Sequence, residues 1–287
     1  METLRCSTTQ DIPRLRELWY LAFGDDGAYV DNFFDTYYKP ERMLVLEEDG
    51  VVQSMTAWFD TTFVVPGDGD FRAAYLYAVA THPDCRGRGM SGRLLAWADD
   101  YFRSLGIPAV TTVPAEPSLH NFFGANGFRE CFVHQQFFHL REDWAPAPEG
   151  SAPDLKRLTP AKYAALRETI LEPRAHIRIS EEVAAYQAGC CALHPAGGLY
   201  ALDCPHGAAV LCAEGMESGS LLLKELLCPP EDLDWVLGWI SVLLPDWSGA
   251  FRTPDGDTPF GMLKWLDPDR AERWDWSRRA YLGLAFD

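Results

Sequence analysis

The sequence predicts an α/β fold with a mixed sheet, arranged as two tandem halves, on three observations. Helical and strand periodicities alternate through residues 1–143. A proline-rich stretch, WAPAPEGSAPD at 144–154, has almost nothing to bury. The order helix, helix, hairpin, strand, helix, strand then returns over 155–287 with weaker signals and no evident residue identity. The expected division is a first domain at 1–143, a linker at 144–154 and a second domain at 155–287.

The first half can be justified element by element. Asp11 and Pro13 open a helix whose apolar stripe is Ile12, Leu15, Leu18, Trp19 and Ala22. A second helix is expected over 28–38. Two strands, MLVLEE and VVQSMTAWFDTTFVV, flank Asp49-Gly50, a dipeptide suited to the positive φ of a tight hairpin turn. A buried strand over 73–81 runs through an arginine- and glycine-rich loop into a helix over 91–105. A strand at 107–113, a short helix at 118–125 and a strand at 128–140 follow. In the second half, helices are expected at 160–171 and 181–191, and strands at 198–203, 208–213 and 221–227. A helix at 231–244 and strands at 260–265 and 280–286 close the chain.

Composition bounds the function. The 287 residues include 42 acidic and 25 basic side chains, a formal net charge of -17. Such a surface repels a phosphate backbone, so nucleic acid is excluded as a partner. The first twenty residues have charges throughout, which argues against a signal peptide. The longest uncharged apolar run, WVLGWISVLLP at 235–245, is too short to cross a bilayer, so no membrane partner is expected. Eight cysteines without CxxC spacing point to free thiols in a reducing cytoplasm. Cys204 and His206 lack a second ligand pair at zinc spacing, so no metal is expected.

The segment VATHPDCRGRGMSGRLL, residues 79–95, carries the chemistry. Glycines at 87, 89 and 92 between a strand and a helix allow successive backbone N–H groups to converge at a helix N-terminus, where the dipole favours phosphate. Arg86, Arg88 and Arg93 give this one segment the opposite sign to the rest of the chain.

Arg86-Gly87-Arg88-Gly89-Met90-Ser91, with His82-Pro83 before it and Leu94-Leu95 after it, closely resembles the acyl-CoA-binding loop of the GNAT superfamily of N-acetyltransferases. Phe122-Phe123-Gly124-Ala125-Asn126-Gly127-Phe128 resembles a second segment of that family, and the match covers roughly residues 1–142. The tandem arrangement resembles the enhanced-intracellular-survival group without its sterol-carrier-like third domain, the second half being a degenerate GNAT-like domain. Ser91 departs from the usual Gly or Ala. Phe123 departs from a tyrosine that many members use as general acid, and phenylalanine has no proton to give.

The resemblance implies acetyl-CoA as cosubstrate and an acetyl transfer to a primary amine by direct attack, the acceptor being a cationic small molecule or peptide. Backbone groups of Arg86, Gly87, Arg88, Gly89, Met90 and Ser91 would hold the pyrophosphate. Val79, Ala80 and Thr81 would pair with the pantetheine and aim the thioester carbonyl at a backbone N–H. Three groups are candidates for the base: Glu116, His120 and the terminal carboxylate of Asp287, the last because the chain terminus reaches the active site in the resembled group. Glu116 reads equally as a helix cap, and His120 as a surface residue.

The second half has Cys228-Pro229-Pro230-Glu231-Asp232 where a phosphate loop would lie, so it is expected to pack against the first half, form one wall of the substrate cleft and offer a surface for homo-oligomers. Two rival readings stand beside the transferase. A catalytically silent CoA-binding or regulatory protein is kept open by Phe123. An aminoacyl transferase of the same tandem fold is disfavoured by the intact loop.

Overall fold

The structure is a computed structural model and describes residues 1–25, 27–138 and 146–285. In the first half, β1 (Glu2–Cys6) leads to α1 (Ile12–Phe23) and α2 (Gly27–Thr36), then β2 (Met43–Glu48), β3 (Val51–Val65) and β4 (Gly69–Thr81). α3 (Met90–Ser104), β5 (Ala109–Thr112), α4 (Pro117–Ala125) and β6 (Arg129–Phe138) follow. The second half holds β7 (Lys156–Arg157), α5 (Pro160–Leu171), β8 (His176–Arg178), α6 (Glu181–Cys191), β9 (Gly198–Cys204), β10 (Gly207–Gly215), β11 (Leu221–Leu227), α7 (Leu233–Leu243), β12 (Trp247–Trp265) and α8 (Pro268–Arg273). The mixed α/β architecture and its repeated order are as the sequence predicts. β1, β7, β8 and α8 carried too few periodic residues to be read.

Local chemistry explains the boundaries. α1 stops at Gly24, whose φ of +72° is left-handed and whose N–H returns to the Tyr20 carbonyl. The β2–β3 turn places Asp49 at φ +52° and Gly50 at φ +82°, the pair of positive values that a two-residue hairpin needs. Strand periodicity sorts the core. In β4, Ala73 and Tyr75 pack with Leu15, Leu18 and Phe33 of α1 and α2, whereas Ala74 and Leu76 pack with Leu94, Leu95 and Phe102 of α3. In the second half α5 and α6 share the core of α1 and α2, while α7 packs Val236, Leu237 and Ile240 on the opposite face.

The halves are joined by far more than a linker. Among the described residues one sheet runs in the order β1-β2-β3-β4-β5-β12-β11-β10-β9-β7, with β6 paired to β12 and β8 paired to β3. β12 begins parallel to β11, at Leu221↔Trp247, and ends antiparallel to β5, at Trp265↔Ala109. β6 lies along it from Ala250↔Phe138 to Leu263↔Arg129. A strand from the second half therefore fills the slot between β5 and β6 of the first. Over the described residues 280–285 of the strand expected at 280–286 there is no strand: Ala280 and Tyr281 make isolated bridges to Phe132 and His176, and Gly283 turns the chain at φ +85°.

Candidate active site

β4 and β5 are parallel partners that part company. Their register runs from Ala73↔Ala109 to Leu76↔Thr112, where β5 ends, while β4 continues five residues further to Thr81. Beyond Leu76 the β5-facing edge of β4 has no strand beside it among the described residues. In the same stretch β4 is bulged. Between Tyr77↔Ala57 and Ala80↔Met55 it holds Ala78 and Val79 against the single residue Thr56 of β3. Ala78 sits at φ +50°, a left-handed value costing a non-glycine residue about 1–2 kcal/mol. The extra residue leaves backbone groups of Ala78 and Val79 outside the ladder, on the wall of a cavity of about 770 Å³ that opens where the strands diverge.

One end of the cavity meets the glycine loop. Val79, Ala80, Thr81, Arg86 and Ser91 line it, whereas Gly87, Arg88, Gly89 and Met90 do not. Gly87 and Gly89 adopt φ of +76° and +73°, and Gly89 is the N-cap of α3. Met90 is buried in the core under that helix. Two of the three arginines that give this segment its positive sign are paired with carboxylates. Arg88 Nη2 lies 2.6 Å from Glu48 Oε1, and Arg93 forks onto both oxygens of Glu2 at 2.7 to 3.2 Å. Both are tied down by carboxylates from β1 and β2. Arg86 makes no salt bridge among the described residues and reaches the Thr81 carbonyl with Nε at 3.4 Å, on the cavity rim.

Hydroxyls brace this end. Ser54 Oγ donates to the Ala80 carbonyl at 2.8 Å and lies 2.8 Å from Thr81 Oγ1, which lies 2.6 Å from Ser91 Oγ. The departure at Ser91 thus has a structural purpose: its hydroxyl ties the first turn of α3 to the end of β4.

The other end is built by the C-terminus of α1 and the middle of β4. Trp19, Ala22, Phe23, Tyr75 and Tyr77 line it, with Asp25 from the loop after α1. Trp19 Nε1 donates to Asp25 Oδ2 at 2.7 Å and orients the carboxylate. The Tyr77 hydroxyl is 3.0 Å from that of Tyr186 on α6 and donates to Tyr29 at 3.2 Å. Burial drives the Tyr77, Tyr29 and Tyr186 phenols well above their ordinary pKa, so all three stay neutral. Ala285 also lines the cavity, and Tyr75 donates to the Leu284 carbonyl at 3.4 Å, so the chain's last described residues form part of the wall.

The three candidate bases fare differently. Glu116 lines the cavity from the N-cap of α4, where Ser118 Oγ donates to its Oε1 at 2.6 Å. His120 does not line it: Nδ1 is 2.6 Å from Glu130 Oε1, a hydrogen-bond partner on β6. Asp287 lies outside the described residues. Phe123 is buried and lines the cavity, so the wall offers a ring where a phenol would offer a proton. Asp25 escaped the sequence reading because a lone acid in a short loop has no periodic or motif signal. The second-half counterpart of the glycine loop is a 3₁₀ turn, Pro230–Asp232. Its Asp232 carboxylate is turned inward onto the backbone and Nδ1 of His206.

No curated protein gives a significant match to the chain. Residues 3–128 match the family model for the acetyltransferase (GNAT) domain. Solved structures match over nearly the whole chain. A GCN5-related N-acetyltransferase from Anabaena variabilis has a TM-score of 0.69 at 12% identity, covering 93% of this chain and 73% of its own. Eis1 from Mycobacterium abscessus has a TM-score of 0.65 at 14% identity, covering 94% and 75%. A GCN5-related N-acetyltransferase from Kribbella flavida has 0.66 at 16%, covering 93% and 71%. These TM-scores show a shared fold across both halves. Residues 3–128, with the strand, bulge, glycine loop and helix that bound the cavity, are thus similar to a GNAT acetyltransferase domain and are followed by a second half that completes the same sheet.

Proposed function

We propose that the protein transfers an acetyl group from acetyl-CoA to a primary amine. The observation that carries this is the convergence of two devices on one cavity: a phosphate-type glycine loop at a helix N-terminus, and a strand edge left unpaired where β4 outruns β5.

In this assignment the backbone N–H groups around Gly87 to Ser91 and the positive end of α3 hold the pyrophosphate, with Arg86 adding the one loop charge not already neutralised. The unpaired edge at Val79 to Thr81 hydrogen-bonds the pantetheine. The bulge at Ala78 and Val79 supplies backbone donors to the carbonyl oxygen as negative charge develops on it. The amine nitrogen forms a C–N bond as the C–S bond breaks. Of the two protons that an ammonium must lose, one ends on the CoA sulfur and the other reaches solvent through the Glu116 carboxylate. A protonated amine with a pKa near 10 needs that base. Phe123 supplies no acid, and little is needed, because a thiolate with a pKa near that of cysteine, about 8.5, departs without one.

Calorimetric titration with acetyl-CoA, followed by a thiol-release assay over primary amines, tests the assignment. Saturable binding and amine-dependent CoA release are expected. Gly89→Glu puts a carboxylate in the loop at a left-handed φ and is expected to abolish acetyl-CoA binding with the fold retained. Unchanged affinity in that variant would refute the assignment of the loop.

A further inference from the structure

We infer that the second half takes part in the transfer step through Tyr186, a positioning residue that holds the Tyr77 hydroxyl and thereby keeps the backbone of Ala78 and Val79 aimed at the thioester carbonyl. The inference rests on the acyl-transfer role of the cavity.

The bulge is the part of the site most in need of support. Tyr77↔Ala57 and Ala80↔Met55 are antiparallel pairs, and the surplus residue lies between them. Ala78 stands at φ +50°, a conformation that a non-glycine residue keeps only when its surroundings over-determine it. With either bracket released, the strand would regain a regular ladder by slipping one residue, which turns side chains to the opposite face. At the Ala80 bracket Ser54 Oγ donates to the carbonyl. At the Tyr77 bracket Thr56, the single residue facing the bulge, shares its hydroxyl proton between the Tyr77 carbonyl at 3.2 Å and the Ala57 carbonyl at 3.1 Å. These contacts hold backbone. The Tyr77 side chain is held from another element.

The Tyr77 ring packs on Trp19 and Phe59, each at 5.3 Å between centroids, and its hydroxyl reaches two further phenols, Tyr29 of α2 at 3.2 Å and Tyr186 of α6 at 3.0 Å. Tyr186 is the more firmly set of the two. It is fully buried, whereas Tyr29 is only partly so. Its ring stacks on Phe59 at 5.4 Å and meets Phe33 edge-on at 5.8 Å, and its carbonyl accepts from Asn32 Nδ2 at 3.0 Å. A Cβ at Gly189, three residues further along α6, would collide with the Asn32 side-chain amide, so a glycine there lets α6 lie against α2 closely enough for Tyr186 to meet β4. The contact thus fixes the far end of a ring whose near end is bonded to Ala78. Backbone donors stabilise a developing oxyanion only when they are fixed in advance, so a residue that fixes them acts on the transfer step and leaves the binding of CoA to the loop.

Isotope-edited infrared spectroscopy of bound acetyl-CoA, labelled at the thioester carbonyl, reads this aim directly, because hydrogen bonding to the oxygen lowers the carbonyl stretch. In the wild-type protein the band is expected below that of free acetyl-CoA. Tyr186→Phe keeps the ring and removes the hydroxyl. It is expected to lose at least half of the shift, while the acetyl-CoA Kd measured by calorimetry stays within about twofold. Tyr77→Phe breaks the same contact from the first half and carries the test if Tyr186→Phe does not fold. The same loss is expected, with the double variant no further displaced than either single one. A tyrosine that served stability alone would lower the unfolding midpoint and leave the band of the folded, liganded protein in place. An unshifted wild-type band overturns the inference, as does a full shift in either folded variant or a double variant displaced by the sum of the two. Failure of the wild-type protein to bind acetyl-CoA would instead overturn the acyl-transfer role itself.

Discussion

Ser91, Thr81 and Ser54 have three hydroxyl protons between them, and the contacts they make leave one direction in which all are used. The Ala80 carbonyl can only accept, so Ser54 must donate to it. Thr81 then donates to Ser54, and Ser91 to Thr81. Ser91 consequently faces the CoA end of the cavity with its proton already engaged, acting as a brace instead of a phosphate donor. Ser54→Ala, which touches nothing in the cavity, is therefore expected to weaken acetyl-CoA binding about as much as Ser91→Ala does. The effect should be three- to tenfold, on the order of one hydrogen bond, with the double variant little worse than either. Calorimetry of the three variants checks this. A loss confined to Ser91→Ala would mean the hydroxyl serves the ligand directly. The same scale shows what sequence alone conveys: glycines forced to positive φ, as at Gly87 and Gly89, announce themselves by residue type. The partners of Arg88 and Arg93 do not, because Glu48 and Glu2 are about 40 and 90 positions away.

At the scale of elements, the second half acts on the cavity through its last segment. Arg167 of α5 is fully buried, bonds both oxygens of Glu225 on β11 at 3.0 Å, and donates to the carbonyls of Ile177 at 2.7 Å and Leu282 at 3.1 Å. Tyr163 donates to the same glutamate. Gly283 passes so close that a Cβ there would lie 2.3 Å from Glu225 Oε1, at a φ that already excludes most side chains. This cluster fixes the path by which Ala285 reaches the cavity wall. Removing one partner of such a pair strands a buried charge, so Arg167→Met is expected to cost about 3–5 kcal/mol of unfolding free energy. Arg167→Met combined with Glu225→Leu should recover much of that loss, and urea denaturation of the single and double variants measures both. The strands and helices around this cluster were largely legible, since β11 is leucine-rich and ends just before Pro229, and α5 lies between Pro160 and Pro173. The final segment was not. Its apolar run reads as a strand, and only the crowding around Gly283 explains why it becomes a buried, turned chain instead.

For the whole molecule, the decisive feature is the placement of β12. A local pattern cannot reveal it: the segment from Trp247 to Trp265 is interrupted by Pro254, Gly256 and Pro259, so only its end was legible as a strand, and its partners β5, β6 and β11 come from both halves. The division into a first and a second domain that the proline-rich stretch suggested is a division of sequence, while the sheet is common property. A fragment ending at residue 138 would keep β5 and β6 as unpaired edges around an empty slot. It is expected to be aggregated or unfolded alone, and to regain acetyl-CoA binding when co-expressed with residues 146–287. A soluble, binding-competent fragment would show that the slot can close without its strand.

The same arrangement imposes an order of events during synthesis. β5 and β6 leave the ribosome more than a hundred residues before the strand that separates them, so the first half must wait, with its cleft unsupported, until β12 has been made. Pairings this distant in sequence make slow folding and a long exposure of sticky edges. For this protein a finished cavity in the first half is a sign that β12 has already been made and has docked.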